Sequence, residues 1–281
     1  NKEVILPSLS FIATAHAVIL NGGKPVFADI DSKTLCIDPK QIRKLITKKT
    51  AAILPVHFAG IACNLNEILH LCQENNVKLI EDAAHAAGTK YDGKRIGSHG
   101  MAVCFSFHPV KNLGMPTGGL ISINHVNHRK LKKTLNEKRW CGITNRHDFT
   151  YDVKQVGWNY YMNEFSAGLG LIQLKKLDKL NRIRRNIAKR YYNEIELEQK
   201  MPYVAGSSYH FYWIITRNRD EIMQRLKQNG IETGIHYKPI HKMSMYNAKN
   251  KLPVTENVGK KIISLPTHPN LSEKDVTRII S

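Results

Sequence analysis

Two side chains that could do chemistry, Asp82 and Lys111, each follow a predicted β-strand. Asp82 ends the apolar run VKLIE, and Lys111 comes just after the next run, in SFHPVKN. Lysine forms Schiff bases with carbonyl groups when burial or neighbouring groups lower its pKa, and a carboxylate stabilises a nearby positive charge. Because parallel strands open their carboxyl ends on one edge of a sheet, both residues could face one crevice. By themselves they are a weak signal, since charged side chains commonly follow strands at a protein surface.

A regular alternation of strand-like and helix-like segments carries these two residues. The predicted strands cover residues 3–7, 24–30, 51–57, 77–83, 101–107 and 119–123. Between them, apolar residues recur at helical spacing, with a stop signal at Gly22-Gly23 and N-cap candidates at Asp38 and Asn64. This order predicts an α/β fold with a mainly parallel, mixed sheet flanked by helices.

The second half of the chain has a different order of predicted helices and strands. A long helix is predicted from Asn163 to about Glu198. It is followed by a strand in HFYWIIT, a helix in RDEIMQRLKQNG, a strand in IETGIHY and a C-terminal helix that begins at Ser272. We therefore expect a large domain over residues 1–200 and a smaller C-terminal α+β domain over residues 201–281.

The composition is strongly basic, with 42 Lys and Arg against 23 Asp and Glu and a formal charge of +19. Much of the excess lies in residues 128–139 and 175–190, where basic residues alternate with Leu and Ile at helical spacing. We interpret these segments as solvated faces of amphipathic helices; a nucleic-acid-binding surface is the alternative, but no zinc finger, basic zipper or RNA-recognition motif supports it. The charge would also attract a ligand that bears a diphosphate.

Cysteine usage and hydropathy exclude several further classes. The five cysteines are odd in number and show no Cys-x-x-Cys spacing, which argues against a disulfide framework or a zinc site and favours a reducing cytoplasm. We expect no bound metal. No apolar run approaches the roughly 20 residues that a helix needs to cross a bilayer, so no membrane partner is expected.

Several ordered motifs resemble those of one known family. EDAAHAAG (81–88) and SFHPVKNLG (106–114) are similar to the two signature segments of the DegT family of sugar aminotransferases, which have the fold-type I architecture and use pyridoxal 5′-phosphate. VILPSLSFIATAHAVILNGGKPVFADID (4–31), GWNYYMNEFSAGLGLIQLKKLD (157–178) and GIHYKPIH (234–241) match the same family in the same order. The resemblance covers nearly the whole chain.

The resemblance implies a role for each residue of the two signature segments. Lys111 would be the amine that holds the aldehyde cofactor and then moves a proton as general base and acid. Asp82 would keep the ring nitrogen of the cofactor protonated, so that the ring can take up electrons. His85 would reach the phenolic oxygen, where the family often has Gln. Ser106 would bind the cofactor phosphate, although a serine that simply ends a strand would look the same.

Further contacts are implied outside these segments. Phe11 would stack on the cofactor ring, while a buried core phenylalanine would give the same pattern. His236 and Tyr237 resemble residues near the substrate pocket, with a structural role as the alternative. Asn159 and Tyr161 stand where the family often has the Asn and Arg of an Asn-Tyr-Arg motif that a partner subunit contributes to the substrate. The resemblance therefore implies a homodimer with shared active sites, with part of its anion recognition changed by Tyr161.

The start of the chain departs from the family. Members normally have a stretch before VILPS with a Ser-Gly-Thr segment whose backbone N–H groups bind the cofactor phosphate. We therefore expect the sequence to be a fragment or a shortened form.

The resemblance implies transfer of an amino group, from L-glutamate, to a keto group of a nucleotide-linked sugar. One alternative is the dehydratase branch of the same family, which has His in place of the lysine at position 111. Another is a basic, non-enzymatic regulator that binds nucleic acid, for which the charge is the only support.

Overall fold

The computed structural model describes residues 1–246, 248 and 250–281. The strands are β1 (Glu3–Pro7), β2 (Lys24–Ala28), β3 (Thr50–Ile53), β4 (Lys78–Asp82), β5 (Lys90–Tyr91), β6 (Lys94–Arg95), β7 (Ala102–Ser106), β8 (Gly119–Ile123), β9 (Ile143–His147), β10 (Thr150–Val153), β11 (Tyr212–Ile215) and β12 (Ile262–Leu265). The α-helices are α1 (Ala13–Leu20), α2 (Pro39–Leu45), α3 (Leu65–Glu74), α4 (His128–Arg139), α5 (Glu164–Glu194), α6 (Arg219–Gln228), α7 (Pro253–Lys261) and α8 (Glu273–Ile280).

A six-stranded sheet with the order β2-β1-β3-β4-β7-β8 forms the centre of the first half. The first five strands are parallel, and β8 runs antiparallel to β7. The expected mainly parallel, mixed sheet flanked by helices is confirmed. In this order β1, β3, β4 and β7 open their carboxyl ends toward the same edge, which is where parallel α/β sheets bind ligands.

Helix starts follow the polar residues that the sequence marks. Asp38 accepts a hydrogen bond from the backbone of Lys40 at the start of α2, and Asn64 accepts one from Glu67 at the start of α3. Ser272 and Asp275 form a capping box at α8. Each such cap is worth about 1 kcal/mol, because it satisfies backbone donors that have no partner inside the helix.

The structure differs from the sequence expectations in the second half. IETGIHY does not form a strand; only Gly234 makes an isolated bridge, to Ser264, while β11 pairs with β12 along its whole length. Residues 262–265 are all buried, and all except Ser264 are apolar. They therefore form the strand that pairs with β11. The β9-β10 hairpin was not expected either, because its strands are exposed and polar and lack the alternation of a half-buried strand.

The described residues form three hydrophobic clusters, of which one is much larger than the other two. The largest contains residues of the central sheet, of α3 and α5, and of β11 and β12, so the two halves of the chain share buried apolar contacts. In the part of the chain that the structure describes, no helix is long and apolar enough to span a membrane.

Candidate functional site

The carboxyl edge of the central sheet gathers most of the residues that the sequence singled out. Asp82 is the last residue of β4 and Ser106 the last of β7, which pair as neighbouring strands. Lys111 lies in the loop after β7, where its backbone N–H donates to the His108 carbonyl at 2.8 Å. Phe11 follows β1 on the same edge. Three chain segments, which follow β1, β4 and β7, therefore meet around one crevice, as the parallel order of the strands requires.

The Asp82 carboxylate is held from two sides. Oδ2 accepts a hydrogen bond of 2.8 Å from the Thr14 hydroxyl, and Oδ1 accepts one of 3.0 Å from the Ala84 backbone N–H. Thr14 lies in turn 2.9 Å from the Ser10 hydroxyl. Because the carboxylate is fixed by its neighbours and only half-buried, it can present negative charge to a group in the crevice.

Burial makes Lys111 a more reactive amine. Loss of hydration disfavours the ammonium form and lowers the pKa of Lys111, and the negative charge of Asp82 opposes part of this shift. The charge of Asp82 therefore acts on Lys111, which agrees with the expectation that the two side chains face one crevice. A lysine with a depressed pKa spends more time as the neutral amine that attacks carbonyl groups.

The buried His85 and the half-buried Tyr237 form a pair beside these two residues. The Tyr237 hydroxyl lies 3.1 Å from His85 Nε2, and the side chain of His85 is 3% exposed. Burial, together with the charge of Asp82, raises the pKa of Tyr237, so the phenol keeps its proton at neutral pH. Burial and the charge of Lys111 lower the pKa of His85 well below its usual value. The structure thus brings the GIHY segment to the EDAAH segment.

Two more histidines complete the wall of the crevice. His236 Nδ1 lies 2.7 Å from the Ser264 hydroxyl, and burial, with the charge of Lys111, lowers the pKa of His236 to about 4. The His210 ring stacks on His85 with centroids 4.6 Å apart. Sequence reasoning missed His210, because it stands at the start of the strand-like run HFYWIIT and no motif marks it.

Phe11 and Ser106 are placed differently from core residues. The Phe11 side chain is 58% exposed, and its ring centroid lies 6.1 Å from that of Tyr237, so it is not the buried core phenylalanine that was the alternative. Ser106 is half-buried and accepts a long hydrogen bond of 3.4 Å from the His108 backbone N–H. Its hydroxyl keeps donor capacity for another group.

Asn159 and Tyr161 lie in a separate region. Asn159 bridges to Trp140, and the Tyr161 ring is 5.4 Å from the Trp140 ring. The Tyr161 hydroxyl donates to Glu164 at 3.1 Å. Among the described residues, neither one hydrogen-bonds to Asp82, His85 or Lys111. The structure of one chain therefore does not bring this pair into the crevice.

The residues of the crevice fit pyridoxal phosphate by their chemistry. An amine with a lowered pKa suits an aldehyde, a fixed carboxylate suits a basic ring nitrogen, and a hydroxyl at a strand end suits a phosphate. The buried Nδ1 of His85 has no hydrogen-bond partner among the described residues, so this imidazole has unused capacity for a polar group. When bound, the cofactor would supply a carbonyl that joins an amine and a ring that takes up electrons.

Comparison with known proteins agrees with this geometry. The model of the DegT/DnrJ/EryC1/StrS aminotransferase family matches residues 1–281. Helicobacter pylori PseC, an aminotransferase involved in the biosynthesis of pseudoaminic acid, superposes with a TM-score of 0.92 at 32% identity, over 99% of this chain and 78% of its own.

Two other solved structures are similar over the same extent. The sugar aminotransferase CalS13 from Micromonospora echinospora gives a TM-score of 0.92 at 26% identity, over 99% of this chain and 79% of its own. Spr1654 from Streptococcus pneumoniae, in its PMP form, gives 0.94 at 27% identity, over 99% of this chain and 80% of its own. The chain therefore belongs to the DegT/DnrJ/EryC1/StrS aminotransferase family and is a transaminase that depends on pyridoxal phosphate.

Proposed function

We propose that this enzyme transfers an amino group from L-glutamate to a keto group on a nucleotide-linked sugar. The observation that carries the proposal is the half-buried Lys111, whose pKa is lowered by loss of hydration beside the fixed carboxylate of Asp82. Support for a sugar substrate comes from the similarity to CalS13, which is a sugar aminotransferase. Lys111 also speaks against the dehydratase branch, which has His at this position.

The side chains of the crevice would divide the work. Lys111 Nζ would hold the cofactor and, once the substrate amine has displaced it, accept the proton that leaves the substrate carbon. Asp82 would keep the ring nitrogen protonated, with Thr14 holding its Oδ2 in place. His85 would face the phenolic oxygen, Ser106 the phosphate and Phe11 the ring, with His236 and Tyr237 bordering the substrate.

The nucleotide part of the proposed substrate is supported by charge. A cavity of about 570 Å³ between α4 and β9 is lined by Trp140, by five cations and by one carboxylate, Glu137, whose oxygens accept hydrogen bonds from Thr144 and Gln155. The cations are Arg129, Lys132, Lys133, Arg139 and Arg146. Within the described residues, none of these cations forms an ion pair with a carboxylate. Unpaired cations beside an aromatic ring suit a diphosphate that carries a nucleobase.

We further propose that the enzyme is a homodimer with shared active sites. In a single chain, large apolar side chains are exposed on α5 and on the segment before it. Phe165 is 86% exposed, and the same stretch exposes Trp158, Tyr160, Leu169, Leu171 and Ile172. Contiguous apolar surface of this kind is uncommon on a monomer. Asn159 and Tyr161 lie in the same region. If a second copy packs there, Asn159 and Tyr161 of one subunit would approach the crevice of the other subunit.

A cytoplasmic location is part of the same proposal. All five cysteines are free, three of them buried, as suits a reducing compartment.

Isotope transfer tests the reaction directly. The enzyme, loaded with pyridoxal phosphate, would be incubated with nitrogen-labelled glutamate and a panel of nucleotide-linked keto sugars, and product mass would be followed. We expect the label in an amino sugar with wild-type enzyme and not with Lys111→Ala. Labelled product from Lys111→Ala, or no label in any product of the wild-type enzyme, would contradict the proposal.

A further inference from the structure

The side-chain amide of Asn112, the residue after Lys111, joins three separate segments of the chain. Asn112 is 6% exposed. Its Nδ2 donates to Asn181 Oδ1 on α5 at 2.8 Å and to the Ser208 carbonyl at 2.7 Å. Its Oδ1 lies 3.2 Å from Nδ1 of His210. All the hydrogen-bonding groups of this amide are therefore in use inside the protein.

Backbone carbonyls fix which way each amide points. The Ser208 carbonyl can only accept, so the atom of Asn112 that faces it must be nitrogen. Asn181 is fixed in the same way, because its Nδ2 donates to the Ala87 carbonyl at 2.9 Å. With both N–H groups of Asn112 donated, only its carbonyl oxygen remains for His210.

The orientation of Asn112 determines the proton of His210. An amide oxygen can only accept, so His210 Nδ1 must carry the hydrogen of this bond. Burial and the charges of Lys111, Arg184 and His236 lower the pKa of His210 well below its usual value. The ring is therefore neutral at pH 7, and Nε2 carries a lone pair.

We propose that Asn112 is a positioning residue for the catalytic crevice: it fixes the Lys111 loop to α5 and to the stretch before β11, and it holds His210 as the tautomer protonated on Nδ1. The inference rests on the proposed role of Lys111. It acts through the stack of His210 on His85, whose centroids lie 4.6 Å apart. Asn112 itself touches neither Asp82 nor Tyr237 in the described contacts.

Neighbouring contacts make this anchor rigid. Ser208 donates from its hydroxyl to the His85 carbonyl at 2.9 Å, and its hydroxyl lies 2.9 Å from that of Thr89. A Cβ atom on Gly88, which has φ +85°, would lie 2.5 Å from Asn181 Nδ2. The segments that carry His85, Lys111 and His210 thus share one buried polar cluster, and a shift of about 1 Å at a reacting group can cost about a hundredfold in rate.

Nitrogen NMR of the full chain tests the tautomer without any substitution at Asn112. Protein labelled with ¹⁵N on histidine would be recorded in long-range proton–nitrogen spectra, with the His210 signals assigned from a His210→Gln variant. We expect the neutral tautomer protonated on Nδ1 at pH 7. A neutral ring protonated on Nε2, or a charged ring, would overturn the proposal.

Asn112→Asp then tests the cause. The carboxylate has the same shape but no N–H groups, and it favours the imidazolium form, so the titration midpoint of His210 should rise and kcat should fall about ten- to hundredfold. Asn193→Asp, at an exposed position near the C-terminal end of α5, introduces the same charge change and should alter neither the His210 titration nor kcat. A purely structural role would lower the melting temperature of Asn112→Asp without moving the His210 titration, and that result would overturn the proposal.

The two proposals fail differently. Activity that survives in Lys111→Ala would contradict the proposed function and leave the His210 tautomer intact. Conversely, Asn112→Asp with kcat within twofold of the wild-type value would overturn the positioning role, whatever the fate of Lys111→Ala.

Discussion

The Thr14 hydroxyl donates a hydrogen bond of 2.8 Å to Oδ2 of Asp82, across 68 residues of sequence. Thr14 lies on α1 directly after the first strand, and Asp82 ends β4, so the bond joins two segments of the same sheet edge. A hydrogen bond to a charged acceptor is worth about 1.5–3 kcal/mol. Thr14 therefore helps to fix, in one orientation, the carboxylate that we propose for the ring nitrogen of the cofactor.

Thr14→Val removes this donor while keeping the shape of the side chain. We expect kcat to fall about tenfold, because Asp82 then turns more freely and loses a bond to its charged form. Thr14→Ser keeps the hydroxyl and serves as the control, with kcat close to wild type. Steady-state kinetics of the wild type and the two variants measure this effect. Equal kcat values for the Val and Ser variants would show that Thr14 has no role in catalysis.

Asp82→Asn should be more damaging than Thr14→Val. The amide oxygen can still accept from the Ala84 backbone N–H, and the amide N–H can donate to the Thr14 hydroxyl, which then donates to Ser10, so the fold should survive. The amide no longer carries the charge that stabilises a protonated ring nitrogen. We expect kcat to fall about a hundredfold or more, with little change in melting temperature. Single-turnover rates and thermal denaturation together measure this. A variant that is inactive only because it is unfolded would not support the assigned role.

Stability should fall on mild acidification because of His236. Its pKa is about 4 in the folded protein, below the value of 6.5 for an unperturbed histidine. Between these two values the unfolded chain binds a proton that the native state does not. The contribution of His236 is therefore complete above about pH 6.5, declines as the pH falls to about 4 and changes no further below that.

His236→Gln measures this dependence. Urea denaturation at several pH values between 7 and 4 should give a free energy of unfolding that falls less steeply with acidification in His236→Gln than in wild type. The variant can be less stable at every pH, since it disturbs the contact with Ser264; only the slope tests the prediction. Parallel curves for the two proteins would show that His236 is not buried in the neutral form.

Charge placed on the exposed apolar face of α5 should weaken the proposed dimer. Phe165→Glu combined with Ile172→Glu, seven residues apart on the same face of the helix, puts two carboxylates where we expect a second copy to pack. The cost of burying them should raise the dissociation constant at least a hundredfold. Lys189→Glu, on an exposed position nearer the other end of α5, is the matched charge change. Sedimentation equilibrium distinguishes them; a wild-type protein that sediments as a monomer would contradict the dimer.

Gly88→Ala should destabilise the protein more than Gly93→Ala. Both glycines have positive φ, which costs a non-glycine residue about 1–2 kcal/mol, but only at Gly88 would a Cβ atom also meet a neighbour, Asn181 Nδ2 at 2.5 Å. We expect the free energy of unfolding to fall by about 1 kcal/mol for Gly93→Ala and by about 2–3 kcal/mol for Gly88→Ala. Equal losses would mean that the cluster around Asn181 has room to adjust.

The central sheet and the pair Asp82–Lys111 could be predicted because their signals are local. Apolar runs bounded by polar residues mark each strand, and the parallel order follows from the helices between them. Predictions were weaker where a segment depends on a distant partner. IETGIHY has the composition of a strand, yet β12 takes the place beside β11. The division near residue 200 and the roles of the individual site residues stay predictions.

The amino-acid sequence by itself determined the family, the strand ends that carry Asp82 and Lys111, and the residues around them, because these are set by local patterns and by short motifs. The tertiary structure added the contacts of Thr14, Asn112 and His210. Thr14 and Asn112 lie inside segments that resemble the family, but no spacing there shows what their side chains contact, and His210 lies in no motif. Each acts through a hydrogen bond or a stacked ring that spans tens of residues of sequence. Such contacts exist only when α1, α5 and the stretch before β11 are packed on the sheet, since spacing along the chain does not encode distance across a core.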